Sequence, residues 1–107
     1  MRLAEDIYVL AKKLPIEERY GIVSQIQRSA VSIPSNIAEG NKRGSAKDYV
    51  HFLRMASGSA AELETQLTLI YRIYQIDIQQ HLSLLEEIEK MLESMKKRLL
   101  FPKTYSL

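Results

Sequence analysis

The chain has 107 residues, 46% of them apolar and 26% charged, with a formal net charge of +2. That is enough for one domain, 1–107, and excludes wholesale disorder. With no cysteine, disulfides, thiolate zinc sites and thiol nucleophiles are excluded as well.

The longest uncharged run, Tyr20 to Gln27, is too short to cross a bilayer. Glu5 and Asp6 fall where the apolar part of a signal peptide would lie. Cytoplasmic residence is therefore expected, with no membrane partner.

Leu3, Ile7, Leu10 and Leu14 form the stripe of a first amphipathic helix, with Lys12 and Lys13 in its last turn and Pro15 after it. A second helix is expected from near Ile16, with the stripe Val23, Ile26, Ala30, Ile33 and Ile37. Pro34 lies inside it and predicts a kink rather than a break, and Gly40 reads as its C-terminal stop. Residues 40–47 are loop-like, and Ser45 with Asp48 three residues on resembles a capping box. The third helix has the clearest pattern: Ala46, Tyr49, Leu53, Ala56, Ala60, Leu63, Leu67, Ile70 and Tyr74 alternate steps of three and four. Asp77 reads as the next N-cap. The fourth helix carries Ile78, Leu85, Ile88, Leu92, Met95 and Leu99, Pro102 ends it, and the tail from about residue 101 is expected to fray. Short connections between four such helices predict an all-α, up-down-up-down antiparallel four-helix bundle. The first helix is short beside the third, so one end of the third is expected to lack a first-helix neighbour.

Charge is absent where a solvated helix should carry it. From Tyr20 to Ala38 the only charged residue is Arg28. The outward positions Gln25, Arg28, Ser32, Ser35 and Glu39, with Asn36 beside them, are small or polar. The third helix is similar around Met55, Gly58, Glu62 and Leu69. Glycine in a helix interior costs about 0.8–1 kcal/mol against alanine. Gly58 therefore predicts a close backbone approach, either to helix 2 or to a neighbouring subunit. These residues are the candidate interface of a homo-oligomer. The alternative is that helices 2 and 3 are the more buried pair of a monomer. The fourth helix differs: Glu86–Lys90 and Glu93–Lys97 have the favourable i,i+4 order of a solvated face.

Catalytic constellations are missing. His51 and His81 are the two histidines; Asp48 precedes His51 by three, but His81 is preceded at that spacing by Ile78, so a di-iron bundle lacks its second motif. Ser32, Ser35 and Asn36 have no nearby base. A non-enzymatic protein with no cofactor and no metal is expected. The cations are better placed. Lys42, Arg43, Lys47 and Arg54 cluster before and at the start of the third helix, and Lys96, Lys97 and Arg98 end the fourth. In an up-down bundle both clusters fall at one end, a candidate rim for RNA or DNA phosphates that an oligomer would multiply. A rim that serves solubility alone is the alternative. No aromatic interleaves these cations in sequence, so base stacking is not expected.

The run PIEERYGIVSQIQRSAVSIPSNIAEG, Pro15 to Gly40, and the run FLRMASGSAAELETQL, Phe52 to Leu67, resemble the two signatures of the bacterial family of proteins encoded in intervening sequences of 23S rRNA genes. Gln25, Arg28, Ser32, Pro34, Asn36, Glu39 and Gly40 match the first, and Gly58, Ser59, Glu62 and Glu64 the second. The resemblance implies a four-helix bundle and a homopentamer. It also implies kinship with the accessory variability proteins of diversity-generating retroelements, which associate with a reverse transcriptase and nucleic acid. It implies no catalytic residue. The chain departs from the family pattern at its start, where members carry further residues before the first stripe, and in being only weakly basic. The expected function is a homo-oligomeric, nucleic-acid-associated or retroelement-like accessory. The alternative is a structural or protein-adaptor oligomer that binds no nucleic acid.

Overall fold

The computed structural model describes residues 1–102. It contains four helices among the described residues: α1 (Arg2–Ala11), α2 (Ile22–Asn41), α3 (Ala46–Tyr74) and α4 (Gln79–Leu100), with a 3-10 turn over Ile16–Glu18. No strand occurs among the described residues. The tail beyond Pro102, expected to fray, lies outside them.

Each helix packs on its neighbours in sequence, most extensively α2 on α3, and α1 closes against α4. The diagonal pairs α1–α3 and α2–α4 make no close approach. This is the up-down-up-down bundle that the four stripes predict. Leu3, Ile7 and Leu10 of α1, Ile26, Ala30 and Ile33 of α2, Leu53 to Ile70 of the α3 stripe, and Leu85 and Leu92 of α4 share one core. Burial of such side chains contributes about 1.5–3 kcal/mol each and is the main term holding the bundle together.

Several local expectations need correction. α2 begins at Ile22, not near Ile16. Residues 16–20 place no apolar side chain in the core, and Ile16 and Tyr20 are exposed. The segment is a single 3-10 turn followed by Gly21, and the Tyr74 hydroxyl donates to Glu18 Oε2 to tie that turn to the end of α3. α1 ends at Ala11, so Lys12 caps the helix instead of sitting in its last turn. Leu14 remains buried through a tight turn, its N–H donating to the Ala11 carbonyl at 3.2 Å. As expected, Pro34 does not break α2; the helix does, however, continue past Gly40 to Asn41. Gly40 is no stop. A Cβ there would lie 2.8 Å from Phe52 Cβ and 3.0 Å from Tyr49 Cδ1, so α2 and α3 touch backbone to side chain at this point. The left-handed backbone of the loop falls instead on Gly44, at φ +85°.

Ser45 caps α3 as predicted, its Oγ accepting from the Asp48 N–H at 3.1 Å. Asp77 Oδ1 accepts from the Gln79 N–H at 3.0 Å, although Ile78 holds the N-cap position of α4.

At about 1.5 Å per residue α1 spans about 15 Å and α3 about 43 Å. Ala11 and Leu14 lie against Val23, so α1 accompanies only the first half of α2. The opposite end, holding the α2–α3 loop and the last turns of α4, is built by three helices. No described helix is long and apolar enough to cross a membrane.

Candidate functional site

The two features singled out by charge, a neutral face and a basic end, are both built around α3. Along the α2–α3 seam, Ser32 and Ser59 share a hydroxyl hydrogen bond of 2.8 Å. Asn36 Nδ2 donates to the Ser32 carbonyl at 2.8 Å and to Ser32 Oγ at 2.9 Å. Ser59 is thus the small residue where α3 meets α2, and Ser32 and Asn36 have their partners within the chain.

Gly58 is different. It is exposed, and a Cβ added there meets nothing within 4 Å. The close approach to helix 2 is therefore excluded at Gly58, and Gly40 is the glycine that makes one. Around Gly58 the surface stays short of charge. Met55 and Leu69 are 46% and 45% exposed on α3, and Gln25, Arg28 and Ser35 are exposed on α2. Glu62 is also exposed, and Glu39 is taken up by Arg43 at 2.7 Å.

At the basic end, Lys47, Val50 and Arg54 of α3 line a shallow cleft with Leu99 and Leu100 of α4. The start of α3 and the end of α4 thus meet, but no α4 cation lines this cleft: Lys97 and Arg98 line a separate groove with Glu64, Glu86, Glu89 and Glu93. Two cations are paired within the chain, Lys96 largely buried and Arg43 exposed. Lys96, only 13% exposed, bridges Glu93 at 2.7 Å and donates to Ser57 Oγ at 3.1 Å. Arg43 pairs with Glu39, and its guanidinium lies 4.9 Å from the centre of the Phe52 ring. Lys42, Lys47, Arg54, Lys97 and Arg98 have no ion pair among the described residues.

The aromatic beside the cations was invisible in the sequence, because Phe52 follows Arg43 by nine residues across a loop. His51, edge-on to Phe52 at 5.4 Å between ring centres, adds a second ring. Glu93 pairs with Lys96 rather than with the expected Lys97, and that hydrogen bond, with the ammonium charge behind it, holds its carboxyl below the usual carboxylate range. The predicted Glu86–Lys90 pair forms at 3.3 Å.

An open groove of about 830 Å³ runs along the outer side of α4, lined by Glu64, Glu86, Glu89 and Glu93, with Leu82 and Leu85 at one end and Lys97 at the other. Burial, then the nearby charges of Glu64 and Glu86, push the Glu89 carboxyl above its ordinary value. A carboxyl raised by folding contributes stability below its unfolded value, and that contribution is lost as pH rises toward the folded one. Glu89→Gln should therefore raise the melting temperature at pH 7, with the gain narrowing below the ordinary carboxylate range. Thermal unfolding at both pH values checks this. His51 and Asp48 acquire no further ligand, and no group of three or more His, Asp or Glu among the described residues is placed to hold a metal ion.

Known proteins resemble this geometry and sequence. Residues 1–97 match the family described as 23S rRNA-intervening sequence protein. A solved structure from Bacteroides thetaiotaomicron VPI-5482, of a protein of unknown function from the S23 ribosomal protein family, is similar at 34% identity and a TM-score of 0.77. The match covers 90% of this chain and 93% of that one. No curated protein matches. On the extent of the family match, the chain belongs to the 23S rRNA-intervening sequence protein family.

Proposed function

We propose that this protein is a non-enzymatic homo-oligomer, assembled through the α2–α3 face, whose basic end engages nucleic-acid phosphates. The observation that carries this reading is the cleft between the start of α3 and the end of α4, on which Lys47 and Arg54 stand together without an ion pair among the described residues. Lys42, the C-cap of α2 just before α3, is exposed and likewise without an ion pair among the described residues. Assembly follows from Gly58, Met55 and Leu69, where a helix presents an open glycine between two half-exposed apolar side chains. A second copy provides the contact that the chain itself does not. The sequence resemblance supports a ring of five and an accessory role beside a reverse transcriptase, as in retroelements.

The test is binding of structured RNA and of single-stranded DNA across a salt series. Each phosphate contact contributes roughly 0.7–0.9 to the slope of log affinity against log salt. Lys42→Glu/Lys47→Glu/Arg54→Glu should flatten that slope by about 2–3 and weaken binding at low salt. Undetectable binding at low salt, or an unchanged slope in the variant, overturns the reading. The internal pairing of Arg43 and Lys96 favours a second reading, in which the rim keeps an adaptor oligomer soluble. A stable protein complex free of nucleic acid would support that one.

A further inference from the structure

The outer side of α4 has the composition of a solvated helix surface, but its residue order has a symmetry that solvation does not require. Along the groove stand Leu82, Glu86, Lys90, Glu93 and Lys97, and Phe101 follows just past the last turn. Their spacings are four, four, three, four and four. Read backwards, the spacings are unchanged and every charge changes sign. Turned end for end about the midpoint between Lys90 and Glu93, the series complements itself. Glu86 faces the partner's Lys97, Lys90 faces the partner's Glu93, and Leu82 faces the partner's Phe101.

The structure leaves these groups free to respond. Phe101 is 76% exposed, and Leu82 lies part-buried in the groove. Lys97 has no carboxylate within ion-pair distance among the described residues. Glu93 spends Oε1 on Lys96. The Glu86–Lys90 bridge is largely exposed, the kind of surface pair that is readily exchanged. Glu64 and Glu89 add negative charge beside Glu86, where the partner's Lys97 would arrive. From Leu82 to Lys97 the groove runs about 22 Å, long enough to seat about four turns of a helix.

We propose that two copies pair through α4, antiparallel and related by a two-fold axis, each laying its helix along the other's groove. This face is distinct from the α2–α3 face, so it links assemblies rather than building one ring. It also draws Lys97 and Arg98, which both line the groove, away from the basic rim and leaves the phosphates to Lys42, Lys47 and Arg54.

The test is native mass at micromolar concentration, first in Met55→Glu/Leu69→Lys, which disables the α2–α3 face. That variant should run as two chains. Adding Lys97→Glu, or Glu86→Lys, sets like charges opposite one another twice per pair and should weaken pairing at least about 100-fold, leaving one chain. Combining Lys97→Glu with Glu86→Lys should restore two chains. A monomeric starting variant, a Lys97→Glu form that stays paired, or a combination that fails to recover overturns the proposal. Should the wild type also run as two chains and dissociate with Lys97→Glu, the α4 pairing stands and the α2–α3 reading falls.

Discussion

Gly40→Ala should destabilise the protein by about 1–2 kcal/mol, and Gly58→Ala should not. Gly58 lies mid-helix, where alanine gains about 0.8–1 kcal/mol, whereas Gly40 is the penultimate residue of α2, where the gain is smaller. The larger difference is what the new methyl meets. At position 40 it arrives 2.8 Å from Phe52 Cβ, an atom fixed to the backbone of α3, and 3.3 Å from the Tyr49 carbonyl. Neither can swing aside, so the helices must part, and overpacking of this kind costs about 1–3 kcal/mol. The net loss should lower the melting temperature by roughly 5–10 °C. At position 58 the methyl meets nothing of its own chain. In Met55→Glu/Leu69→Lys, Gly58→Ala should raise the melting temperature. In the wild type, Gly58→Leu should overfill the contact with a second copy and reduce the assembly. Thermal unfolding and native mass read these effects separately. Equal shifts at the two glycines would remove the distinction.

Met55→Glu/Leu69→Lys should weaken self-association at least about 100-fold, which corresponds to about 3 kcal/mol. Met55 and Leu69 stand on one side of α3, half-exposed, on either side of the open Gly58. A contact that covers them buries two apolar side chains and excludes water. A charge placed there must be stripped of water without a partner, at a cost of several kcal/mol per ion. The two substitutions lie fourteen residues apart and cannot pair with each other. Neither touches the core, so helix content should be unchanged by circular dichroism. An assembly that keeps its full wild-type mass with both charges in place does not use this face.

The bundle was legible because the α3 stripe is buried from Leu53 to Ile70, although at its start Ala46 is exposed and Val50, outside the expected stripe, is buried; Ser45 and Pro102 also bracket the later helices. What escaped was set by distance through space. A helical glycine signals a close approach somewhere, but spacing cannot say which glycine makes it. The structure assigns the approach to Gly40, whose place in the sequence suggests a stop, and leaves Gly58, the expected site, open. The start of α2 was misplaced because Ile16 looks like a stripe residue until its exposure shows that no core lies beneath it. At the rim, Lys96 and Lys97 are equivalent in sequence. Only packing shows that Lys96 turns toward Ser57 on α3 and is neutralised by Glu93. Phe52 reaches Arg43 for the same reason, since α2 and α3 fold back on each other across the loop.

The central claim is that the charge-poor α2–α3 face joins copies of this chain, and the mass of the untagged protein in solution tests it most directly. Sedimentation equilibrium or light scattering at micromolar concentration should give several times the 12.3 kDa chain mass, falling in Met55→Glu/Leu69→Lys. A wild-type mass of 12.3 kDa would contradict the account.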